Sequence, residues 1–117
     1  MSGALVLLSG GMDSAVCLYE AIEAHGTVAV ECLFFDWGQL AVEQERRCCS
    51  ALCRAAGVAP QIEVELHFPY RGPLTDESLG MPRGRTPSQI SGGGVEATFF
   101  PGRNLVMLAS AFGIAAA

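Results

Sequence analysis

The chain contains no lysine: all seven of its basic residues are arginine, and twelve acidic residues give its 117 residues a formal net charge of −5. A Walker-type P-loop places a Gly-Lys pair on the phosphates, so this class of nucleotide site is excluded. A nucleic-acid backbone is held chiefly by basic side chains, which are scarce in this acidic chain. We therefore expect no direct nucleic-acid partner.

The chain also lacks a long apolar run and any Cys-x-x-C pair. A membrane span needs roughly 20 consecutive apolar residues, and a signal peptide has basic residues before its apolar run, which are absent here. We therefore expect a cytoplasmic location and no membrane partner. The five cysteines are an odd number without zinc or redox spacing, so we expect reduced, mostly buried thiols.

Half of the residues are hydrophobic, which is typical of a globular domain. The apolar runs 4–8 and 27–35 predict buried strands, and the alternation of apolar and acidic residues over 61–66 predicts a strand near a sheet edge. Helices are predicted from residue 14 to a cap at Gly26, over 40–56 with a stop at Gly57 and Pro60, and over 104–117.

This order predicts an α/β fold of three layers, a parallel sheet with helices on both faces. The segment at about 67–99 is rich in Gly and Pro and has no periodicity, so we predict a long loop there. Three strands make a thin sheet, and residues 115–117 lie in an apolar helix without a cap. We therefore expect residues 1–117 to be the N-terminal part of a larger domain.

The segment Ser9-Gly10-Gly11-Met12-Asp13-Ser14 links the first predicted strand to the first predicted helix. A helix N-terminus presents unpaired backbone N–H groups and a positive dipole end, both of which favour phosphate. The glycines let the backbone approach a ligand, the serine hydroxyls can donate to phosphate oxygens, and Asp13 can hold Mg²⁺. The alternative is an ordinary turn in which Ser and Asp only cap the helix.

Two further segments carry candidate binding residues. Asp36 follows the second predicted strand, at the sheet edge where parallel α/β folds bind ligands, and can hydrogen-bond a sugar or a base. The alternative is an Asp-x-Gly turn in which Trp37 is a hydrophobic plug. Arg103 can pair with a carboxylate or phosphate, and Asn104 can cap the last helix or meet a ligand amide. The alternative is a solvated arginine beside an ordinary cap.

The other candidates are weaker. Cys49 and Cys53 share a helix face and Cys48 points elsewhere, which favours core packing over a zinc site, since zinc needs about four convergent ligands. No metal ligands are therefore assigned in this chain. His25 is expected at a helix end and His67 at the surface. Three arginines in the predicted loop suit either a solvated segment or a lid over bound triphosphate: Arg71, Arg83 and Arg85.

The motifs resemble those of a known family. Ser-Gly-Gly-x-Asp-Ser after a buried strand resembles the pyrophosphate loop, or PP-loop, of the adenine nucleotide α-hydrolases. The stretch 35–39, Phe-Asp-Trp-Gly-Gln, is similar to the Phe-Asp-Tyr-Gly-Gln motif of the 7-cyano-7-deazaguanine synthase family of queuosine biosynthesis. The stretch 99–104, Phe-Phe-Pro-Gly-Arg-Asn, is similar to that family's Phe-Val-Pro-Gly-Arg-Asn. Trp37 stands for the usual Tyr, Phe100 for Val, and Leu40-Ala41 for the common Arg-His.

The resemblance implies a Rossmann-like fold and an ATP-dependent ligase, which makes 7-cyano-7-deazaguanine from 7-carboxy-7-deazaguanine and ammonia by adenylating the carboxylate. It implies ATP and Mg²⁺ as cofactors, small-molecule partners, and a homodimer as one expected assembly. The family's structural zinc is held by cysteines near its C-terminus, a region without a counterpart here. The alternatives are another PP-loop enzyme, tRNA-thiolating or amide-forming, and an ATP-binding fragment without turnover.

The same resemblance implies three overlapping sets of site residues. The catalytic residues are Ser9, Asp13, Ser14 and Arg103, and the substrate-binding residues are Gln39, Arg103 and Asn104. The nucleotide-binding residues are Leu8, Ser9, Gly10, Gly11, Met12, Asp13, Ser14, Ala15, Val16, Cys17, Leu18 and Asp36.

Overall fold

A computed structural model of the chain describes residues 3–69, 75 and 102–117. Within these residues the elements follow one another as strands and helices in alternation. They are β1 (Ala4–Leu8), α1 (Met12–His25), a 3₁₀ turn (Thr27–Ala29), β2 (Val30–Asp36), α2 (Val42–Ala56), β3 (Ile62–Glu65) and α3 (Arg103–Ala116). None of the described helices is long and apolar enough to cross a membrane.

The three described strands form a parallel sheet in the order β1-β2-β3. Leu8 lies opposite Phe34 in the β1–β2 pairing, and Phe35 lies opposite Val64 in the β2–β3 pairing. Both crossovers run through a helix, as parallel neighbours require. The predicted parallel sheet is confirmed, and β3 lies at an edge of the described sheet as predicted.

Alternation along β2 divides its side chains between two apolar layers. Cys32 and Phe34 pack with residues of α1 and α2, such as Leu18 and Cys49. Leu33, on the opposite face, packs with residues of α3. Full burial of a side chain as large as that of Phe34 contributes about 1.5–3 kcal/mol. The predicted arrangement, with helices on both faces, is confirmed.

The predicted caps of α1 and α2 are confirmed. Gly26 has φ +81°, and its backbone N donates to the Ile22 carbonyl at 2.7 Å. Gly57 has φ +75° and ψ +24°, the left-handed conformation that glycine adopts without strain.

The boundaries of several elements differ from the prediction. Residues 27–35 were predicted as one strand, but Thr27–Ala29 form a 3₁₀ turn and β2 begins at Val30. Val28 is fully exposed, so apolar composition alone wrongly extended the strand. α1 begins at Met12 instead of residue 14, and α2 begins at Val42 instead of residue 40. The predicted loop at 67–99 lies mostly outside the described residues.

Candidate functional site

The candidate site lies at the carboxyl edge of the sheet, where β1 and β2 end side by side. β1 leads into the loop 9–14, and β2 leads into the turn 36–39, so parallel pairing brings these two segments together. The start of α3 lies on the same side. A cleft of about 90 Å³ lies between these elements, lined by residues including Leu8, Ser9, Trp37, Gln39, Glu45 and Met107. This edge is where ligands of parallel α/β folds bind.

The loop after β1 is held by a local set of hydrogen bonds between its two serines and its backbone. Ser9 N donates to Ser14 Oγ at 3.2 Å, and Ser14 Oγ donates to the Gly11 carbonyl at 3.1 Å. Gly11 N in turn donates to Ser9 Oγ at 3.3 Å, and the two serine hydroxyls are 3.3 Å apart. The loop is therefore preorganised by these internal bonds, which the hydroxyls would exchange on meeting a ligand.

The predicted capping alternative for this loop is wrong. The N-cap of α1 is Gly11, without a side-chain capping hydrogen bond, and Asp13 lies inside the first turn. The carboxylate of Asp13 is exposed and has no hydrogen-bonding partner among the described residues. The first N–H with an acceptor in this helix is that of Ala15, which donates to the Gly11 carbonyl at 3.2 Å. The earlier N–H groups have no intrahelical acceptor, which is the arrangement that suits an anion.

Gly10 places the loop directly against α2. Its φ is +83°, a conformation that side chains with L chirality rarely adopt. A Cβ on Gly10 would lie 2.9 Å from Cys48 Cβ and 3.1 Å from the Glu45 carbonyl oxygen. Both the backbone conformation and the close approach of α2 therefore require glycine at this position.

The predicted nucleotide-binding stretch divides by exposure. Leu18 is fully buried, so its side chain belongs to the core. Leu8 is only 4% exposed, and it borders the cleft from the core side. Met12 and Val16, by contrast, are 81% and 52% exposed. Cys17 is exposed and Ala15 partly exposed along the same helix.

The turn after β2 is a compact hydrogen-bonded unit. Asp36 Oδ1 accepts from Gly38 N at 3.1 Å, and Gly38 has φ +87°. Gln39 Oε1 accepts from Trp37 N at 2.8 Å, while Gln39 Nε2 donates to the Phe35 carbonyl and to Glu45 Oε2, each at 2.9 Å. The Asp-x-Gly turn considered for Asp36 is therefore present.

The predicted substrate residue Gln39 lines the cleft, but its amide is engaged within the protein. Its side chain is 5% exposed, and both amide hydrogens already have acceptors. A buried amide with all its donors satisfied loses hydrogen bonds if it turns towards a ligand. In this conformation Gln39 instead holds the turn 36–39 and joins it to α2.

Arg46 of α2 is a neighbour of Asp36 that sequence reasoning missed. Its Nη2 lies 3.4 Å from Asp36 Oδ2, its Nε lies 2.5 Å from Glu63 Oε1, and its Nη1 contacts Glu43. Hydrogen bonds to Glu63 and then to Glu43 raise the pKa of the Arg46 guanidinium above its ordinary value. The guanidinium also lies 5.7 Å from the centre of the Phe34 ring. Arg46 belongs to none of the sequence motifs. Its contact with Glu63 follows from the pairing of β3 with β2, which a single sequence does not reveal.

Arg103 lies at the start of α3 and stacks on Trp37, with its Cζ 4.9 Å from the ring centre. Its Nε donates to Asn104 Oδ1 at 3.4 Å. The predicted capping role of Asn104 is wrong, because the N-cap is Gly102 and Asn104 is the second residue of the helix. Arg103 joins the cleft through Trp37, and Asn104 is exposed beside it. The preceding part of this motif, residues 98–101, lies outside the described residues.

The cysteine and histidine candidates lie where their simpler interpretations place them. Cys49 and Cys53 are buried and Cys48 is exposed, as their helical spacing predicted. His67 is exposed, with Nε2 3.7 Å from Glu65 Oε2, and His25 lies in the last turn of α1. In the part of the chain that the structure describes, no three His, Cys, Asp or Glu side chains are placed to hold a metal ion. Arg71, Arg83 and Arg85 lie outside that part.

Comparison with known proteins decides between the families that this geometry allows. Residues 3–117 match the family model described as queuosine biosynthesis protein QueC. The chain belongs to the QueC family. The match includes the loop 9–14, the turn 36–39 and Arg103, which are the three segments that meet at the carboxyl edge of the sheet.

Several curated relatives of this chain are named 7-cyano-7-deazaguanine synthase. The protein of Anaeromyxobacter dehalogenans is 36% identical over 114 residues, covering 92% of this chain and 45% of the relative. The protein of Chromobacterium violaceum is 38% identical, over 90% of this chain and 44% of the relative. The protein of Alcanivorax borkumensis is 37% identical, over 98% of this chain and 49% of the relative. The chain therefore spans about half the length of the curated relatives it matches. No solved structure matches it.

Proposed function

We propose that this chain contributes the ATP site of a 7-cyano-7-deazaguanine synthase, as the N-terminal part of a PP-loop ATP pyrophosphatase domain. The observation that carries the proposal is the preorganised Ser9–Ser14 loop at the start of α1, beside Asp36 and Trp37 at the carboxyl edge of the sheet. The name of the relatives supplies the product, and the family resemblance of the sequence motifs supplies the substrates. The enzyme would act in the cytoplasm on 7-carboxy-7-deazaguanine, ammonia and ATP.

The proposed reaction activates a carboxylate, whose oxygen is otherwise a very poor leaving group. The substrate carboxylate oxygen attacks the α-phosphorus of ATP, and pyrophosphate leaves. Ammonia then attacks the acyl carbon, AMP leaves with the carboxylate oxygen, and a proton is released to give the amide. The amide oxygen then attacks the α-phosphorus of a second ATP, and pyrophosphate leaves. The oxygen departs with AMP, and loss of the two N–H protons gives the nitrile.

The protein's contribution is positioning and electrostatic stabilisation rather than covalent catalysis. The backbone N–H groups at the start of α1, with Ser9 and Ser14, would hold the β- and γ-phosphates while pyrophosphate leaves. Asp36 would face the nucleotide or the substrate. Arg103 and Asn104 would contact a phosphate or the deazaguanine, while Gln39 keeps the turn after β2 in place.

The residues of the loop fit a magnesium ion. Asp13 offers one exposed carboxylate at the loop, and Mg²⁺ is usually held by one or two carboxylates together with substrate phosphates and water. When bound, the ion would reduce the negative charge on the phosphates. The zinc expected for the family finds no suitable group among the described residues, so no role in this site is derived for it.

The proposal is tested by substituting Asp13→Ala and Ser9→Ala and measuring AMP release with 7-carboxy-7-deazaguanine, ammonia and ATP. Loss of a group that stabilises charge in the transition state costs about a hundredfold or more in rate. Glu20→Ala is the matched control, because Glu20 is also an exposed acidic residue of α1. Turnover that is unchanged in both loop variants would refute the role proposed for the loop.

The same assay separates the alternative functions. AMP release with another acceptor, but none with 7-carboxy-7-deazaguanine, would indicate a different PP-loop enzyme. ATP binding without AMP release for any acceptor would indicate a nucleotide-binding chain without turnover. Sedimentation of the same protein would test the expected homodimer.

A further inference from the structure

The ring of Trp37 and the guanidinium of Arg103 form a contact between two segments that are far apart in sequence. Arg103 Cζ lies 4.9 Å from the centre of the Trp37 ring, within the distance at which a cation is attracted to an aromatic face. Trp37 and Met107 both line the cleft at the carboxyl edge, and Met107 is one helical turn beyond Arg103. The pair therefore lies at the border of the cleft.

The contact with Trp37 does not occupy the two Nη groups of Arg103 with hydrogen bonds, so they can donate to a ligand. The N–H donors of arginine lie in the plane of the group, whereas the contact with an aromatic ring uses its face. Nε of Arg103 donates to Asn104 Oδ1 at 3.4 Å. Within residues 3–69, 75 and 102–117, neither Nη atom has a hydrogen-bonding partner. A planar pair of N–H donors is suited to a carboxylate or a phosphate.

The backbone of Trp37 is held by the buried side chain of Gln39. Trp37 N donates to Gln39 Oε1 at 2.8 Å, and Gln39 is only 5% exposed. Gln39 is tied in turn to the Phe35 carbonyl and to Glu45 of α2. The position of the Trp37 backbone is thus fixed by the core of the domain.

We propose that Trp37 is a positioning residue, which holds the Arg103 guanidinium with its free edge towards an oxyanion bound in the cleft. The oxyanion is the carboxylate of the acceptor or a phosphate of ATP. The inference rests on the proposed function for the identity of these ligands. It assigns to an aromatic side chain a role that acts through the neighbouring arginine and needs no direct contact with substrate.

The test is a double-mutant cycle on the full chain, with binding of ATP and of 7-carboxy-7-deazaguanine measured separately by calorimetry. Trp37→Leu removes the aromatic face, Trp37→Tyr keeps one, and Arg103→Met removes the cation. Tyr19→Leu is the matched control, because Tyr19 is a half-exposed aromatic residue on α1 outside the cleft. Trp37→Leu is expected to weaken binding of at least one ligand about three- to tenfold in the wild-type background.

Comparing Trp37→Leu in the wild type with Trp37→Leu in the Arg103→Met variant distinguishes positioning of Arg103 from simple packing by Trp37. Trp37→Leu should have an effect of less than about twofold when Arg103 is already methionine, since coupled residues are not additive. Trp37→Tyr should retain most of the affinity, and the ligand that loses affinity identifies the oxyanion. An equal loss in both backgrounds, or no loss for any ligand that the wild-type chain binds, overturns the inference.

A second measurement judges the pair independently of any ligand. Trp37 is the one tryptophan of the chain, so the tryptophan emission reports on the surroundings of this residue, which include Arg103. Arg103→Met should change the intensity or wavelength of that emission, and Tyr19→Leu should not. If the wild-type chain binds neither ligand, the proposed function fails, while the emission still decides whether Trp37 and Arg103 form the pair. Identical spectra for wild type and Arg103→Met would overturn the inference.

Discussion

Substituting Gly10→Ala should destabilise the fold through two separate costs. The first is conformational, because Gly10 has φ +83° and a left-handed backbone costs an L-residue roughly 1–2 kcal/mol. The second is steric, because the new methyl group would lie 2.9 Å from Cys48 Cβ and 3.1 Å from the Glu45 carbonyl oxygen. Neither neighbour is the end of a flexible side chain, so α2 or the loop must shift, at a cost of about 1–3 kcal/mol.

Gly57→Ala separates these two costs. Gly57 also has a positive φ of +75°, but a Cβ there would meet nothing within 4 Å. Its substitution should therefore cost only the conformational part, roughly 1–2 kcal/mol. The difference between the two variants measures how tightly the loop packs on α2.

Urea unfolding followed by circular dichroism measures both free energies of unfolding on the same scale. The expected loss for Gly10→Ala is about 2–5 kcal/mol, clearly greater than for Gly57→Ala. Equal losses would show that α2 does not approach the loop as described. Gly11→Ala tests binding instead of stability. Its Cβ would lie 3.4 Å from Ser9 Oγ, so the free energy of unfolding should change by less than about 0.5 kcal/mol. Its affinity for ATP should fall, because the methyl group would stand at the helix N-terminus where the phosphates are proposed to bind.

Two further predictions concern charge and protonation. Arg46→Gln should lower the urea midpoint, because it leaves three neighbouring carboxylates without their cation. The decrease should be larger at low than at high salt, since salt screens charges. Arg47→Gln, on the exposed side of the same helix, is the control, and an equal decrease in that variant would contradict the ion-pair network. Burial raises the pKa of the Cys32 and Cys49 thiols from 9.0 to about 12. As the pH rises, these thiols therefore ionise in the unfolded chain before they ionise in the folded chain. The stabilisation that they contribute below pH 9 is lost as the pH rises towards 12. Between pH 9 and pH 12, the free energy of unfolding should fall less steeply in the Cys32→Ala variant than in the wild type. An unchanged slope would show that Cys32 is not held as a buried, neutral thiol.

Local signals account for the parts of the fold that the sequence predicted well. The apolar run of β1, the glycines that end α1 and α2, and the alternation in β3 each express a preference of a few neighbouring residues. The turn Thr27–Ala29 was missed because Val28 is apolar yet fully exposed, so composition suggested a strand that the sheet does not contain.

The contacts between segments could not be predicted in the same way. Gln39 stands in a binding motif, and only the packing of α2 shows that its amide is buried and fully bonded. Arg46 and Glu63 meet because α2 crosses back to place β3 beside β2, and Arg103 reaches Trp37 because α3 covers the opposite face of the sheet. Such pairs depend on register and helix packing, on which a single sequence gives no direct information.

The most direct test of the proposed role for the loop after β1 is the nucleotide product. The protein is incubated with ATP, Mg²⁺, 7-carboxy-7-deazaguanine and ammonium, and AMP, ADP and the deazaguanine products are quantified. We expect AMP and pyrophosphate to form only when the carboxylate is present, with the amide and then the nitrile appearing when ammonium is added. ADP and phosphate in place of AMP, or AMP release independent of the carboxylate, would contradict the account.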